Sequence, residues 1–164
     1  MHIRAVADTD LPAVHSIYAH HVVTSLGTFE TEPPSVAEMR ARCTAIVQGG
    51  FPYLVSEIDG RVVGYAYANQ FRPRAAYRAT MEDSIYVAAD VIGRGVGKAL
   101  LNALIERCVA QGMRQMLALI GDSNNEASIG VHRACGFAPA GVLTSVGRKF
   151  ERWVDVVIMQ RALG

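Results

Sequence analysis

The sequence has no apolar run near the roughly eighteen residues that a membrane-spanning helix needs, which argues against a membrane role. It has no leader-like start either, because Met1-His2-Ile3-Arg4 leads directly into a strand-like pattern. Cysteine is scarce: Cys43, Cys108 and Cys135 are an odd set with no CxxC pair. That excludes a disulfide framework and reads as buried, reduced thiols in a cytoplasmic protein. No charge of one sign accumulates. The formal net charge is +1, so neither a nucleic acid nor an anionic membrane is implied as a partner. His15, His20 and His21 are close in sequence but not on one helical face, and nothing else completes a ligand set, so no metal is expected. They read as surface or cleft histidines. No internal repeat or low-complexity segment is present.

What remains is ample for a core. The 164 residues are 51% apolar with a mean hydropathy of +0.19, which fits a single domain over residues 1–164. His2 to Val6 reads as a strand. Asp8-Thr9-Asp10 then offers N-caps for a helix whose face is Leu11, Val14, Ile17 and Tyr18. Thr24 to Thr31 reads as a loop with Phe29 partly exposed. Ser35-x-x-Glu38 is a capping box for a helix to about Gln48, ended by Gly49-Gly50. Tyr53–Ile58 and Arg61–Phe71 form a hairpin around Asp59-Gly60, and Gly64, Ala66 and Ala68 keep its second strand thin enough for a sheet covered on both faces. Thr80–Val87 is the central strand. Gly95–Gln111 is a helix, Gln115–Ile120 a strand and Asn125–Cys135 a helix ended by Gly136. Val142–Val146 and Arg152–Met159 are the last strands, with their turn expected around Gly147-Arg148-Lys149. This order predicts a mixed α/β fold with helices on both faces of the sheet.

The chain is organised around Glu82-Asp83-Ser84-Ile85-Tyr86-Val87, followed by Gly93-Arg94-Gly95-Val96-Gly97-Lys98 and an apolar helical run. A strand, a glycine turn and a helix start make an anion site, since the first backbone N–H groups of a helix are unpaired and carry positive partial charge. A dinucleotide fingerprint is excluded because position 98 is Lys rather than Gly. A Walker A loop is excluded because its first glycine would fall on Ile92 and its hydroxyl on Ala99. The remaining G-x-G-x-G-K turn suits a pyrophosphate laid across the helix start, with Arg94 and Lys98 adding charge. Arg72-Pro73-Arg74-Ala75-Ala76-Tyr77-Arg78 just before the central strand is either a solvated loop or a clamp for a carboxylate.

The turn resembles the acetyl-CoA site of the GNAT superfamily, [RQ]-x-x-G-x-[GA]. Gly95 and Gly97 match the small positions, while Ile92 replaces the usual Arg or Gln and removes one polar contact. Asn125-x-x-Ser128-x-x-Val131-His132-x-x-x-Gly136-Phe137 follows the second signature of that family. Thr28-Phe29-x-Thr31-Glu32-Pro33, Arg74-x-x-Tyr77-x-x-Thr80-x-Glu82, Tyr86-Val87 and Gly147-x-Lys149-x-x-x-Trp153-x-Asp155 are similar to the phosphinothricin and methionine sulfoximine N-acetyltransferase group over nearly the whole chain. The resemblance implies a GNAT fold with a twisted, mostly antiparallel sheet of about six to seven strands. It implies acetyl-CoA as co-substrate, a small L-amino-acid analogue as acceptor, and a homodimer. It assigns Glu82 as base with His132 beside it. Phe29, Arg72, Pro73, Arg74, Tyr77 and Glu82, Asp83, Ser84 fall to the acceptor. Ile85, Tyr86, Val87, Gly93, Arg94, Gly95, Val96, Gly97, Lys98, Asn125 and Ser128 fall to acetyl-CoA.

The chemistry fits those roles. An α-ammonium must lose a proton before it attacks a thioester, and a carboxylate at a strand start in a partly dry cleft can accept it. Backbone N–H groups of Tyr86 or Val87 could polarise the thioester carbonyl. His132 could protonate the leaving thiolate or act as a second base. Direct attack needs no covalent enzyme intermediate, so no cysteine is given a catalytic role. Against this stand plainer readings: Glu82 as the partner of Arg74 or Arg78, His132 as a satisfied core histidine, and Trp153 as core or dimer interface. A GNAT acting on a protein N-terminus or a polyamine, and a non-catalytic acyl-CoA sensor, are the rival functions.

Overall fold

The computed structural model describes residues 1–164. Eleven elements follow in chain order: β1 (His2–Ala5), α1 (Leu11–Thr24), α2 (Val36–Gln48), β2 (Tyr53–Ile58), β3 (Arg61–Gln70), β4 (Thr80–Val87), α3 (Val96–Ala110), β5 (Gln115–Gly121), α4 (Glu126–Ala134), β6 (Ala138–Lys149) and β7 (Arg152–Ala162). The strands make one seven-stranded sheet in the order β1-β2-β3-β4-β5-β7-β6. Only β4 and β5 pair in parallel, and α3 makes the crossover between them. The expected mixed α/β architecture is therefore present.

Each face of the sheet is closed by its own helix pair. Leu100, Leu101, Leu104, Ile105 and Cys108 of α3 pack on Ala66, Ala68, Met81, Met116 and Ala118. On the opposite face, Leu11, Val14, Tyr18 and Val22 of α1 and Met39, Cys43 and Ile46 of α2 meet Tyr53, Val55 and Tyr65. The thin strand has its stated purpose: Gly64 lies against Val96 and Leu100, while Tyr65 and Tyr67 fill the other side. Strand alternation thus sorts β4 into two sets, with Met81, Ile85 and Val87 toward α3 and Tyr86 toward α1.

The Ser35 hydroxyl caps α2 by accepting from the Glu38 N–H at 3.1 Å, but Glu38 turns outward to Arg42 instead of completing the box. Asp10 does not cap α1 with its side chain. It accepts from the Arg4 guanidinium at 2.6 Å and the Ala7 N–H at 2.7 Å, and a 3-10 turn over Asp8–Asp10 leads in. The last hairpin differs most from expectation. Gly147, Arg148 and Lys149 belong to β6, and the turn is Phe150-Glu151, with φ of 49° and 59°. Two successive left-handed residues match the right-handed twist of the flanking strands, and neither residue type announces such a turn. Trp153 is not core: it is 66% exposed.

Candidate active site

The gap that makes a site opens inside the sheet. β4 and β5 pair only from Thr80/Gln115 to Asp83/Ala118. Beyond that point β5 continues against β7, and Ser84 to Val87 keep β3 as their only strand neighbour. The free edge of β4 therefore offers backbone groups to whatever enters the gap. A cavity of about 670 Å³ lies there, walled by β4, β5, the start of α3, α4 and the end of α1.

The glycine turn forms one end. Gly93 and Gly95 have φ of +81°, and a β-carbon on either would meet nothing within 4 Å, so the backbone is open to a bulky ligand. Gly95 caps α3 without any side-chain bond, which leaves the helix's first N–H groups for an anion. These features fit the pyrophosphate of a CoA ester. At the other end, Asn125 caps α4 by accepting from the Ser128 N–H at 3.2 Å. Its amide also donates to the Gly121 carbonyl at 3.3 Å, fixing the end of β5 to α4.

The cavity gathers Asp83, Ser84, Ile85, Tyr86, Val87, Gly93, Gly95, Val96, Gly97, Lys98, Asn125, Ser128 and His132. Arg94 is exposed on the turn and does not line it. Of the surface or cleft positions open to the histidines of α1, two take the cleft. His20, His21 and Thr24 reach the cavity, and His21 Nε2–H donates to the Val87 carbonyl at 2.9 Å. Burial holds the His21 pKa below its ordinary value despite that bond. The amphipathic pattern placed these histidines at the end of a helix, but nothing local said where that end lies.

Glu82 lies outside this cavity, half-buried on the opposite face of β4. Burial pushes its carboxyl up, opposed by the charge of Arg72 and reinforced by Asp83. Arg72, not Arg74 or Arg78, is its nearest cation, at 3.7 Å, with the guanidinium stacked 4.2 Å above the Phe71 ring. Gln70 pins the cationic loop by donating to the Arg72 and Arg74 carbonyls at 2.6 and 3.1 Å. Arg72, Pro73, Arg74 and Tyr77 are all exposed. Phe29 lies farther round, on Gly147 of β6. Lys149 holds the same loop: Nζ donates to the Ser25 and Thr28 carbonyls at 2.8 and 2.7 Å, and burial lowers its pKa.

The resemblance sets His132 beside Glu82; in the structure the bonded partner of His132 is the next residue of β4, Asp83. His132 is buried and bonded to Asp83, with Nε2 at 3.0 Å from Oδ2. Neighbouring residues of a strand point to opposite faces, so Asp83 faces α4 and Glu82 faces away. The three cysteines are buried, and burial raises each thiol, Cys108 to about 12. Thiolate is therefore scarce at neutral pH. No three acidic, thiol or imidazole side chains converge as metal ligands.

A split parallel pair with free backbone donors, a bare helix start at one end and polar side chains at the other defines an acyl-CoA-dependent acyltransferase site. The chain belongs to the acetyltransferase (GNAT) domain family, whose model matches residues 3–158. It is 58% identical to a phosphinothricin N-acetyltransferase of Alcaligenes faecalis over 161 residues, 98% of this chain and 82% of that one. It is 42% identical to an L-methionine sulfoximine/L-methionine sulfone acetyltransferase of Pseudomonas paraeruginosa over 159 residues, 96% of this chain and 92% of that one. A crystal structure of a phosphinothricin acetyltransferase from Sinorhizobium meliloti in complex with acetyl-CoA superposes with a TM-score of 0.96 at 44% identity. It covers 99% of this chain and 88% of its own. The protein is thus an acetyl-CoA-dependent N-acetyltransferase.

Proposed function

We propose that residues 1–164 act as one cytoplasmic enzyme domain that acetylates the α-amine of a small L-amino-acid analogue of the phosphinothricin, methionine sulfoximine or methionine sulfone type. One observation carries this reading. A half-buried carboxylate, Glu82, stands 3.7 Å from an arginine on the strand whose following residues are free to hold a thioester. The split between β4 and β5 joins the two faces, so the acceptor enters from the Glu82 side and acetyl-CoA from the α3–α4 side. Glu82 takes the proton from the ammonium, the freed amine attacks the thioester carbonyl, and β4 backbone N–H groups bind the developing oxyanion. The arginine loop supplies the charge that an amino-acid carboxylate needs. A polyamine would be repelled by it.

The test is thiol release from acetyl-CoA with L-methionine sulfoximine, L-methionine sulfone, L-phosphinothricin, a polyamine and a short peptide as acceptors. Turnover confined to the amino-acid analogues is expected. Turnover on the polyamine or peptide alone would overturn the acceptor assignment, and binding without turnover would favour a sensor. Arg74→Ala is expected to raise the acceptor KM roughly tenfold, the loss of one charge-assisted bond of about 1.5 kcal/mol, with the acetyl-CoA KM unchanged. An unchanged acceptor KM would make the loop a solvated surface.

We also propose a homodimer built on β6. Every residue from Ala138 to Val146 is exposed, on both faces of this outermost strand. Val142, Leu143, Val146, Phe150 and Trp153 are among the exposed large apolar side chains. A long apolar edge of this kind is a template for self-association unless it is covered. Leu143→Asp with Trp153→Asp is expected to convert the dimer to a monomer in light scattering. A monomeric parent protein would remove the proposal.

A further inference from the structure

The pairing of β4 with β3 decides which of its backbone groups face the gap. The register is constant from Gly64/Val87 to Gln70/Met81. The bonds at its two ends fix the phase: Ala88 N–H donates to the Val63 carbonyl at 2.8 Å, and Phe71 N–H to the Thr80 carbonyl at 2.9 Å. Even-numbered residues of β4 therefore bond β3 with both backbone groups, and odd-numbered ones direct theirs to the other edge. Tyr86 spends its N–H on Tyr65 and is no donor to a thioester. β5 leaves β4 after Asp83/Ala118, so nothing in the sheet pairs with the free groups of Ile85 and Val87. Along the edge from the split these run donor, acceptor, donor, acceptor: Ile85 N–H, Ile85 C=O, Val87 N–H, Val87 C=O. One of the four is taken, because the Val87 carbonyl accepts from His21 Nε2–H at 2.9 Å.

His21 is held for this contact. Its ring tilts against Tyr86 with the centroids 5.5 Å apart, and Tyr86 meets Tyr18 edge-on at 5.0 Å. Tyr18 and Val22, both buried, seat α1 on the sheet to either side of it. The His21 carbonyl closes the helix by accepting from the Ser25 N–H at 2.9 Å. A carbonyl only accepts, so the Val87 bond requires the hydrogen on Nε2. Burial favours the neutral ring, and the charges of His20 and Lys149 act in the same direction.

We propose that His21 is a positioning residue that sets the register of the acetyl-CoA arm along β4 by occupying the Val87 carbonyl. The proposal rests on the reading of this cavity as the acetyl-CoA site. From its reactive end the arm carries a thioester carbonyl, then an amide N–H, then the amide carbonyl: acceptor, donor, acceptor. The three open groups of β4 match that order one for one. They place the thioester on Ile85 N–H, nearest the split and the Glu82 side. With a free Val87 carbonyl a second fit exists, with the thioester on Val87 N–H and the amide N–H on Val87 C=O. The arm would then stand two residues back, about 6.7 Å along a strand. That is well beyond the roughly 3–3.5 Å at which reacting atoms must lie. In the protein as built, an amide at that carbonyl would have to share it with a ring that already lines the cavity.

His21→Phe keeps a ring against Tyr86 and removes the donor, so it should admit the second, unreactive fit. Unreactive binding lowers kcat and KM by one factor. Both the kcat and the acetyl-CoA KM are expected to fall about tenfold, the preference that one hydrogen bond confers, with kcat/KM nearly unchanged. His21→Gln carries an N–H at the reach of Nε2 and should recover most of the lost kcat. NMR of the binary complex, with acetyl-CoA labelled at its acetyl methyl, reads the register without an acceptor. The methyl should contact the Ile85 N–H alone in the parent and the Val87 N–H as well in His21→Phe. Parental constants in His21→Phe would overturn the proposal, and so would a methyl that stays at Ile85. A raised acetyl-CoA KM with a lowered kcat/KM would make His21 only a wall of the cavity. Equal losses in the Phe and Gln variants would assign the effect to packing rather than to the donor. Absence of parental turnover on every acceptor would instead strike the acceptor assignment, and the methyl contacts would still decide this one.

Discussion

Glu82→Gln is expected to lower kcat by about 10²–10⁴-fold, the range of a positioned general base, and to leave acetyl-CoA binding nearly intact. The separation follows from placement. Glu82 lies outside the cavity that gathers the co-substrate residues, on the face of β4 that carries the arginine loop. Its pH dependence has a definite sign. The group is a base only when ionised, and burial lifts its pKa above the ordinary carboxylate value even against Arg72. The rate must therefore rise with pH through that raised value and level off. The glutamine variant should lose this acid-side limb along with the rate. The competing role is partner to Arg72. In that case the variant would keep its kcat and its pH limb, and only the acceptor KM would change. Equal loss of turnover and acetyl-CoA binding would sink both readings and point to misfolding of β4.

Much of this site was legible because its signals are local. The alternating glycines at 93, 95 and 97 need no partner elsewhere in the chain to define a turn at a helix start. Asn125 and Ser128 sit at capping distance on one helix for the same reason. The Asp83–His132 pair spans 49 residues of sequence and depends on how α4 lies over β4, which no local pattern encodes. One part of it was nonetheless available: strand alternation alone forbids Glu82 and Asp83 from facing the same helix. Lys149 was hidden by composition. Gly147-Arg148-Lys149 looks like a turn, yet Gly147 is there to admit the Phe29 ring and Lys149 to bind two loop carbonyls. The true turn, Phe150-Glu151, carries none of the usual residues, and the twist of β6 and β7 imposes it. Trp153 reads as core or dimer interface by residue type and is exposed because the β6–β7 hairpin runs on past β5, which pairs with β7 only from Val156 onward.

Gly121→Ala is expected to be the most destabilising single methyl in the protein, and the contrast with Gly147 shows why. A β-carbon at Gly121 would stand 2.2 Å from the Leu26 carbonyl oxygen, which is backbone. A β-carbon at Gly147 would stand equally close to Phe29 Cε1, the far end of an exposed side chain. The ring can swing away; the peptide can move only with the whole Ser25–Thr28 loop. Lys149 ties that loop at both ends by its bonds to the Ser25 and Thr28 carbonyls. Overpacking without room to yield costs about 1–3 kcal/mol, or roughly 2–4 °C of melting temperature per kcal/mol for a chain of this size. Ser25 and Gly27 also line the acetyl-CoA cavity, so Gly121→Ala should weaken co-substrate binding as well. Gly147→Ala should leave the melting temperature nearly unchanged and raise the acceptor KM, because Phe29 loses its seat. Melting curves and the two KM values on both variants distinguish these effects. If the two variants melt alike, the loop yields as easily as the ring. Lys149 would then not be the rigid tie that its two short bonds imply.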